Sequence, residues 1–447
     1  MQKDISLSDI IDLSKKRGRN TPFFVTPCNG SEAFLKVTKD HILYNIRNLK
    51  QIVFEVTDAC NLECTYCGLG RMYEGNDDRC SKNLSFGRCK QIVDFLADIW
   101  KKFPPVSFNQ TCAVSFYGGE PLLNMSLIKR IISYLEQLPD NNRKFRYSMT
   151  TNAVLLDKHM DYLVQKKFAL LVSLDGDESG HSYRVDHAGN SSFNKVFANL
   201  KNLQQSHLDY FKMFVNFNAV LHDRNSVESI SRFIQDNFEK KPLISEMATD
   251  SLKESEQETY NKMFRSKVKS ANDITNKSFL ESILDNSPAF SSLVSFIDAE
   301  SGNVFDNYNE LIGSREKDFV NRTGTCLPFA KKMFITVTGK ILPCERISQK
   351  YAMGEVSDKK VTFDYNQIVE EYNKLTGKYV DQCKICHYRK RCKKCVFTSM
   401  TINGTNTECE NFGNKESFDK FTENQKRFLV ENPKLYKKIM RHSIIRR

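Results

Sequence analysis

Cys60, Cys64 and Cys67 follow one another at C-x3-C-x2-C spacing, directly after an apolar strand-like run, Gln51–Thr57 (QIVFEVT). Three thiolates on one short loop can hold three corners of a [4Fe–4S] cube and leave the fourth iron without a protein ligand. An iron with an open position can bind and reduce a small molecule, so the spacing points to chemistry more than to a structural staple. The competing readings are a zinc knuckle and three unrelated thiols. Zinc usually takes four ligands, most often from two C-x2-C pairs, which a lone triplet fits poorly.

Further runs could serve such a centre. Tyr117-Gly118-Gly119-Glu120-Pro121 closes a second strand-like run. Two glycines let backbone approach a ligand closely, since no Cβ intervenes, and an acceptor there could take hydrogen bonds from an ammonium group. The plainer reading is a strand-to-helix turn with Pro121 near the first helical position. Thr151-Asn152 closes a third run and Ser173-Leu174-Asp175-Gly176 a fourth, with His181-Ser182-Tyr183-Arg184 shortly after. Arg184 either offers the fork-shaped cation that a carboxylate ligand wants or is a surface residue. No general acid or base is assigned. The last third of the chain carries Cys326, Cys344, Cys383, Cys386, Cys392, Cys395 and Cys409, and its paired C-x2-C runs are also a zinc-ribbon spacing.

Strands are expected at 51–57, 111–117, 145–151, 169–175, 211–221 and 243–248, and helices near 88–103, 124–138, 157–167, 191–206 and 225–239. Apolar runs separated by amphipathic helices read as βαβ units on a parallel sheet, an α/β fold. In parallel barrels the chemistry sits at the carboxyl ends of the strands, and the cysteine loop follows the first strand. The chain divides into an N-terminal extension over 1–50 with a short hairpin at 33–46 (AFLKVTKDHILYNI), a core over 51–250, a charged helical insertion or linker over 251–320, a cysteine-rich domain over 321–412 and a basic helical tail over 413–447. Within the cysteine-rich part, 333–343 (MFITVTGKILP) reads as a hairpin turning at Gly339.

The run Cys60-Asn-Leu-Glu-Cys64-Thr-Tyr66-Cys67 resembles the radical S-adenosylmethionine (radical SAM) superfamily, and Gly118-Gly119-Glu120-Pro121 resembles its GGEP motif. The resemblance implies a partial (β/α)6 barrel. It implies that Cys60, Cys64 and Cys67 ligate a [4Fe–4S] cluster whose open iron binds the amino and carboxylate groups of SAM, with Tyr66 near the adenine. Gly118, Gly119, Glu120 and Pro121 would meet the SAM amino group, and Thr151, Asn152, Ser173, Asp175 and Arg184 would complete the site. Ala153 stands where the family's TNG run has glycine, Ser182 replaces the aspartate of HDxxR, and Arg184 falls one residue early.

Gly339-x4-Cys344, Cys383-x2-Cys386-x5-Cys392-x2-Cys395 and Cys409 resemble the SPASM domain, although x2 replaces the usual x3 before the last cysteine of the run. This resemblance implies two auxiliary clusters, three [4Fe–4S] clusters in all. Cys383, Cys386, Cys392 and Cys409 would hold one, and Cys326, Cys344 and Cys395 the other. The stretch 319–325 (FVNRTGT) supplies that second set with no fourth cysteine, which leaves its iron to a substrate thiolate, a non-cysteine ligand or a distant cysteine among Cys28, Cys80, Cys89 and Cys112. The implied activity is reductive cleavage of SAM to a 5′-deoxyadenosyl radical. That radical would take a side-chain hydrogen from a ribosomally made precursor peptide, and a thioether or carbon–carbon crosslink would close. Such an oxidoreductase needs an external electron donor of flavodoxin or ferredoxin type. Formylglycine formation by an anaerobic sulfatase-type maturase is the second reading. A zinc-ribbon protein that binds nucleic acid is the reading from another class.

The 447 residues include 14 cysteines and carry a net charge of +12. No run approaches the ~18 apolar residues of a membrane span, and MQKDISLSDIIDLSKKRGRN has no apolar signal core. The expectation is therefore no membrane segment and a reducing, cytoplasmic setting in which cysteines bind metal rather than pair. Part of the charge excess lies in the tail, at Lys426, Arg427, Lys434, Lys437, Lys438, Arg441, Arg446 and Arg447. It reads as a solvated helix face ahead of a nucleic-acid patch, with attraction of an acidic peptide as a third reading. Cys28, Cys80, Cys89 and Cys112 read as buried or idle thiols.

Overall fold

The computed structural model describes residues 36–74, 81–103, 111–139, 143–249, 252–276, 279, 293, 324–389, 392, 394–399, 408–409 and 411–431. Cys28, Cys80, the first residues of the expected hairpin, most of the expected insertion and the end of the basic tail lie outside these residues.

What was expected as the second half of an N-terminal hairpin is a helix, α1 (Lys39–Arg47). The Thr38 hydroxyl accepts from the His41 backbone N–H while the His41 ring accepts from the Thr38 N–H, a reciprocal cap that starts a helix. Ile42 and Ile46 are both fully buried, one turn apart on the same face of the helix.

The barrel elements then alternate as β1 (Gln51–Thr57), α2 (Phe86–Lys102), β2 (Thr111–Gly118), α3 (Met125–Glu136), β3 (Lys144–Thr151), α4 (Leu156–Gln165), β4 (Ala169–Ser173), α5 (Phe193–Ser206), α6 (Leu208–Phe214), β5 (Val215–Leu221), α7 (Val227–Phe238) and β6 (Leu243–Glu246). Strands β1 to β6 lie side by side in chain order and every pair is parallel, as expected for the partial (β/α)6 barrel. The strand expected at 211–221 starts only at Val215, because 208–214 forms α6. Tyr210 and Phe211 are buried there, and the Tyr210 hydroxyl donates to the Phe168 carbonyl at 2.6 Å. A short apolar run does not reveal by itself which element it forms.

The register gives the sheet two unlike faces. Ile52, Phe54, Val114, Phe116, Met149, Leu170, Val172 and Phe217 are buried in the main core, which the apolar sides of the helices complete. The opposite face carries Gln51, Ser115, Arg146, Ser148, Asn216 and Asn218, placed there by alternation along each strand and by the pairings Val53 to Ser115, Ser115 to Ser148 and Leu171 to Asn216. Gln51 Nε2 donates to Ser115 Oγ at 2.6 Å, and Ser115 and Ser148 share a hydrogen bond of 2.6 Å. Arg146 and Asn216 are exposed. A closed barrel would fill this face with bulky apolar side chains.

The described part of the expected insertion contains α8 (Gln257–Met263) and α9 (Lys267–Asn272). Beyond it β7 (Met333–Ile335) and β8 (Lys340–Leu342) form the expected hairpin, followed by β9 (Gly354–Val356) and β10 (Val361–Thr362). Gly339 turns the hairpin at φ +93°, and a Cβ there would stand 2.1 Å from the Val356 carbonyl oxygen. The hairpin does not stand apart from the barrel: β7 pairs in parallel with the free edge of β1, and one sheet runs β10-β9-β8-β7-β1-β2-β3-β4-β5-β6. Buried Glu55 of β1 accepts from the Val337 N–H at 3.0 Å, and Arg88 Nη1 donates to the Val337 carbonyl at 3.0 Å. The turn is thereby tied to both β1 and α2. Helices α10 (Tyr365–Gly377), α11 (Val380–Ile385), α12 (Val396–Ser399) and α13 (Lys415–Glu431) complete the described chain. Asn373 of α10 exchanges two hydrogen bonds with the Val37 backbone, at 2.9 and 2.8 Å. No helix among the described residues is long and apolar enough to cross a membrane.

Candidate active site at the carboxyl end of the sheet

The cysteine loop leaves β1 at its carboxyl end. Its turns are closed by Cys67 N–H to Cys64 O at 3.1 Å and Gly70 N–H to Cys67 O at 2.8 Å. The loop is clamped from the side by the end of β2. Gly119 N–H donates to Thr57 O at 3.0 Å and Glu120 N–H to Ala59 O at 2.9 Å. This approach leaves no room for side chains. A Cβ on Gly118, whose φ is +133°, would lie 1.9 Å from Thr57 O, and one on Gly119 would lie 2.0 Å from Ala59 O. The paired glycines therefore hold Cys60 in place through the residue before it.

Glu120 continues the clamp into β3. Its carboxylate is buried and accepts from Leu122 N–H at 3.0 Å, from the Thr151 hydroxyl at 2.7 Å and from Asn152 N–H at 2.7 Å. Burial pushes this carboxyl up to about 7, against the pull of those three donors. Asn152 in turn directs its amide to Asn61 Oδ1 at 2.8 Å and to the Cys60 sulfur at 3.9 Å. Ala153, where glycine would be expected, sits fully buried at φ +60°. Leu62 N–H also points at the Cys60 sulfur, at 3.5 Å.

A second knot lies on the other side of the loop. Asp175, fully buried after β4, accepts from Arg184 Nε at 2.8 Å, Arg184 Nη2 at 3.0 Å, Val220 N–H at 2.9 Å and the Tyr66 hydroxyl. Burial alone would raise the Asp175 carboxyl, but the adjacent guanidinium outweighs it and holds the group below its ordinary value. Arg184 is itself only 7% exposed, so it is not a surface residue. The Tyr66 ring stacks on His222 at 5.5 Å and meets the edge of Tyr183 at 6.3 Å. Ser173 is buried at the end of β4.

These residues fit an iron–sulfur centre. Three thiols share one loop, and N–H donors address the Cys60 sulfur. Burial pushes the Cys60 thiol up to about 11 and the Cys64 thiol up to about 12, with each further raised by neighbouring thiols of the triplet and lowered by Arg184. Metal binding would remove those protons. Among the described residues no three His, Cys, Asp or Glu side chains converge as the ligands of a single metal ion would.

Residues 54–236 match the Radical SAM superfamily. The chain carries a radical SAM domain. It is 25% identical over 407 residues to the cysteine-type anaerobic sulfatase-maturating enzyme of Clostridium novyi (strain NT), a match that covers 87% of this chain and 96% of that one. The radical SAM cyclopropyl synthase TigE of Paramaledivibacter caminithermalis (strain DSM 15212 / CIP 107654 / DViRD3) is 24% identical over 177 residues, 39% of this chain and 35% of the relative. Among solved structures, native anSMEcpe with bound AdoMet and Kp18Cys peptide shares the fold at TM-score 0.59 and 20% identity, covering 87% of this chain and 98% of that one. The chain is thus a radical SAM enzyme, with SAM and a radical SAM iron–sulfur cluster as cofactors.

Outside the radical SAM match, Cys386, Cys392 and Cys409 lie near one another, and Cys326 and Cys395 both lie by Tyr372. Burial raises the Cys409 thiol, and the nearby Cys392 and Cys386 sulfurs raise it further. Cys409 N–H donates to Gln382 Oε1 at 2.8 Å, beside Cys383 on α11. The Tyr372 hydroxyl donates to the Cys326 carbonyl at 2.9 Å, and Val396 N–H donates to Thr325 Oγ1 at 2.9 Å. The second bond links the residue after Cys395 to the residue before Cys326. Cys344, just past β8, donates to Glu345 Oε2 at 3.7 Å, and Glu345 pairs with Lys332 at 2.9 Å. Cys89 and Cys112 are buried.

Sequence reading missed the Asp175–Arg184 pair and the Glu120–Thr151–Asn152 cross-link. Each joins motif residues to one another, and only the common ending of strands at one edge of the sheet could have suggested it. His187, whose Nε2 lies 2.9 Å from the Cys60 carbonyl, gave no signal.

Gly119→Ala is expected to displace the loop and cost the chain about four irons, the content of one cube, with helicity by circular dichroism retained. Full iron in the variant would show that the clamp does not hold the loop. Glu120 gives a pH test. Its carboxyl rises from 4.5 to about 7, so the folded chain holds that proton more tightly than the unfolded chain. The stabilisation is complete below pH 4.5 and is lost as pH rises through about 7. The loss is about 3 kcal/mol. Urea melts of the metal-free chain across that window should show the decline, and Glu120→Gln should flatten it.

Proposed function

We propose that this enzyme is a maturase of a ribosomally made peptide and closes a thioether or carbon–carbon crosslink in it. The observation that carries the reading is the triplet loop clamped by Gly118–Glu120 at one end of a sheet whose open face carries polar side chains among Val53, Ala113 and Leu171. Cys60, Cys64 and Cys67 would hold the SAM-binding cluster. When bound, cluster and SAM supply the radical that removes a hydrogen from an unactivated carbon. Among the described residues Glu120 Oε2 accepts only from Asn152 N–H, so it keeps an acceptor site for the SAM ammonium beside the backbone of the Gly-Gly run. Asp175 occupies the Nε–Nη2 edge of Arg184, and Nη1 makes no hydrogen bond among the described residues. That nitrogen suits the SAM carboxylate. The Tyr66 hydroxyl is tied to Asp175, which leaves its ring to border the adenine.

Gln51, Ser115, Ser148, Arg146, Asn216 and Asn218 offer the donors and acceptors that peptide amides need. Cys383, Cys386, Cys392 and Cys409 would hold one auxiliary cluster and Cys326, Cys344 and Cys395 a second, three clusters in all. A flavodoxin- or ferredoxin-type protein would deliver the electrons. The end-to-end similarity to the Clostridium novyi sulfatase-maturating enzyme favours a second reading, formylglycine formation.

The anaerobically reconstituted chain is expected to cleave SAM to 5′-deoxyadenosine with dithionite, and replacing Cys60, Cys64 and Cys67 together with Ala should abolish this. Product from the triple variant would sink the assignment. Mass spectrometry of the product separates the readings: a crosslink removes a hydrogen pair, whereas formylglycine also exchanges cysteine sulfur for oxygen. Replacing Cys383 and Cys386 with Ala should remove about four irons and stop peptide modification more than SAM cleavage. Stoichiometric zinc in the native chain would instead favour a ribbon.

A further inference from the structure

Arg184 stands directly across from Cys64. Glu63 N–H donates to Val185 O at 2.8 Å and Thr65 N–H to Tyr183 O at 3.1 Å. These two bonds bracket Cys64 on one side and Arg184 on the other, like rungs of a short ladder. The guanidinium also lies 5.4 Å from the centroid of the Tyr66 ring, between the second and third cysteines. A buried cation is therefore fixed against the loop that would hold the SAM-binding cluster. Its counter-charge is Asp175, bound through two hydrogen bonds and itself fully buried. The other charged groups nearby do not replace it. Asp223 is turned to the Tyr183 hydroxyl at 3.1 Å and Arg224 to the Ser182 hydroxyl at 2.9 Å, both at the exposed rim.

A positive charge beside a cluster favours its reduced form, which carries one more electron, and the effect is strongest where water is excluded. An unbalanced Arg184 would thus make the cluster easier to reduce and a weaker reductant. We propose that Asp175 is the charge-compensating residue of this cluster, neutralising Arg184 so that the cluster keeps a potential low enough to reduce SAM. The inference rests on the radical SAM reading of the Cys60, Cys64 and Cys67 loop. It assigns to Asp175 a positioning and electrostatic role rather than contact with the cofactor. The backbone bonds of Tyr183 and Val185 hold Arg184 opposite Cys64 independently of Asp175, so removing the carboxylate leaves the guanidinium charge unbalanced beside the loop.

The test is a dithionite titration of the reconstituted full chain without SAM, followed by electron paramagnetic resonance. The relevant cluster is recognised by the change in its signal when SAM is added to a parallel sample. Asp175→Asn should raise the midpoint potential of that cluster and slow SAM cleavage by ten-fold or more, about 1.4 kcal/mol in barrier. The double variant Asp175→Asn, Arg184→Gln removes both charges and should bring the midpoint back to that of the unaltered enzyme. An unmoved midpoint in Asp175→Asn overturns the inference. So does a double variant that stays displaced, because loop distortion would then be the cause. If the single variant does not fold, Arg184→Gln is read with the double variant: a midpoint lowered by the unbalanced Asp175 and restored in the double variant supports the inference, and an unmoved midpoint in Arg184→Gln overturns it. An unaltered enzyme whose cluster ignores SAM would overturn the proposed function as well, whereas a SAM-responsive cluster with unmoved midpoints overturns this inference only.

Discussion

The structure depends on one close approach of backbone to backbone, where Gly118 and Gly119 at the end of β2 meet Thr57 and Ala59 at the end of β1. Neighbouring parallel strands normally stay far enough apart for side chains to stand between their exits. Here the exits touch, and only residues without a Cβ can do this. The cysteine loop is thereby fixed to the sheet before its first thiol. Everything else at the site reinforces that contact: Glu120 reaches into β3, Asn152 reaches back to Cys60, and Tyr66 is pinned from the far side by Asp175.

Two buried carboxylates flank the loop and are satisfied differently. Glu120 has three neutral donors and no cation, and burial raises its carboxyl to about 7. Asp175 has donors and a guanidinium, and stays ionised against a comparable burial. Hydrogen bonds from neutral groups make a buried carboxylate tolerable, while a paired cation makes it permanent. The first arrangement suits a cross-link between strand ends, which needs geometry only. The second suits a place where a charge must be kept beside a redox centre.

Much of this was legible in the sequence. The parallel strands β1 to β5 were readable because long buried apolar runs alternate with amphipathic helices, and the site motifs were readable because each closes such a run. What was not legible involves partners. The three-residue strand β7 carries no mark saying that it will join β1. Thr38-x2-His41 is not a usual helix start, so the segment before β1 read as a hairpin. The FKMF run before β5 was absorbed into the strand for want of a period. Arg184 was read for its chemistry toward a ligand, while two of its five donors are spent on Asp175. A sequence gives a residue's valence but not which bonds are already taken.

The sheet also orders the two cysteine sets in space. β8 runs antiparallel to β7, so Cys344, just past β8, lies toward the amino end of β1. Cys326 lies there as well. Tyr372 holds it on the helix whose Asn373 grips Val37, and Asn45 of α1 donates to the nearby Pro328 carbonyl at 2.9 Å. Cys395 is joined to the same place through Thr325. The triplet leaves the opposite end of β1, and a seven-residue strand at about 3.3 Å per residue spans about 20 Å. The open face of the barrel runs between the two ends. A substrate lying along it could have a carbon activated near Cys60 and still be within reach of the far set, whereas a sulfur held at the far set would be distant from that carbon. Electron uptake tolerates such a separation and bond formation does not. On the proposed assignment of a cluster to Cys326, Cys344 and Cys395, the topology therefore favours that cluster as the acceptor of the surplus electron over its use as a clamp for the attacking thiolate.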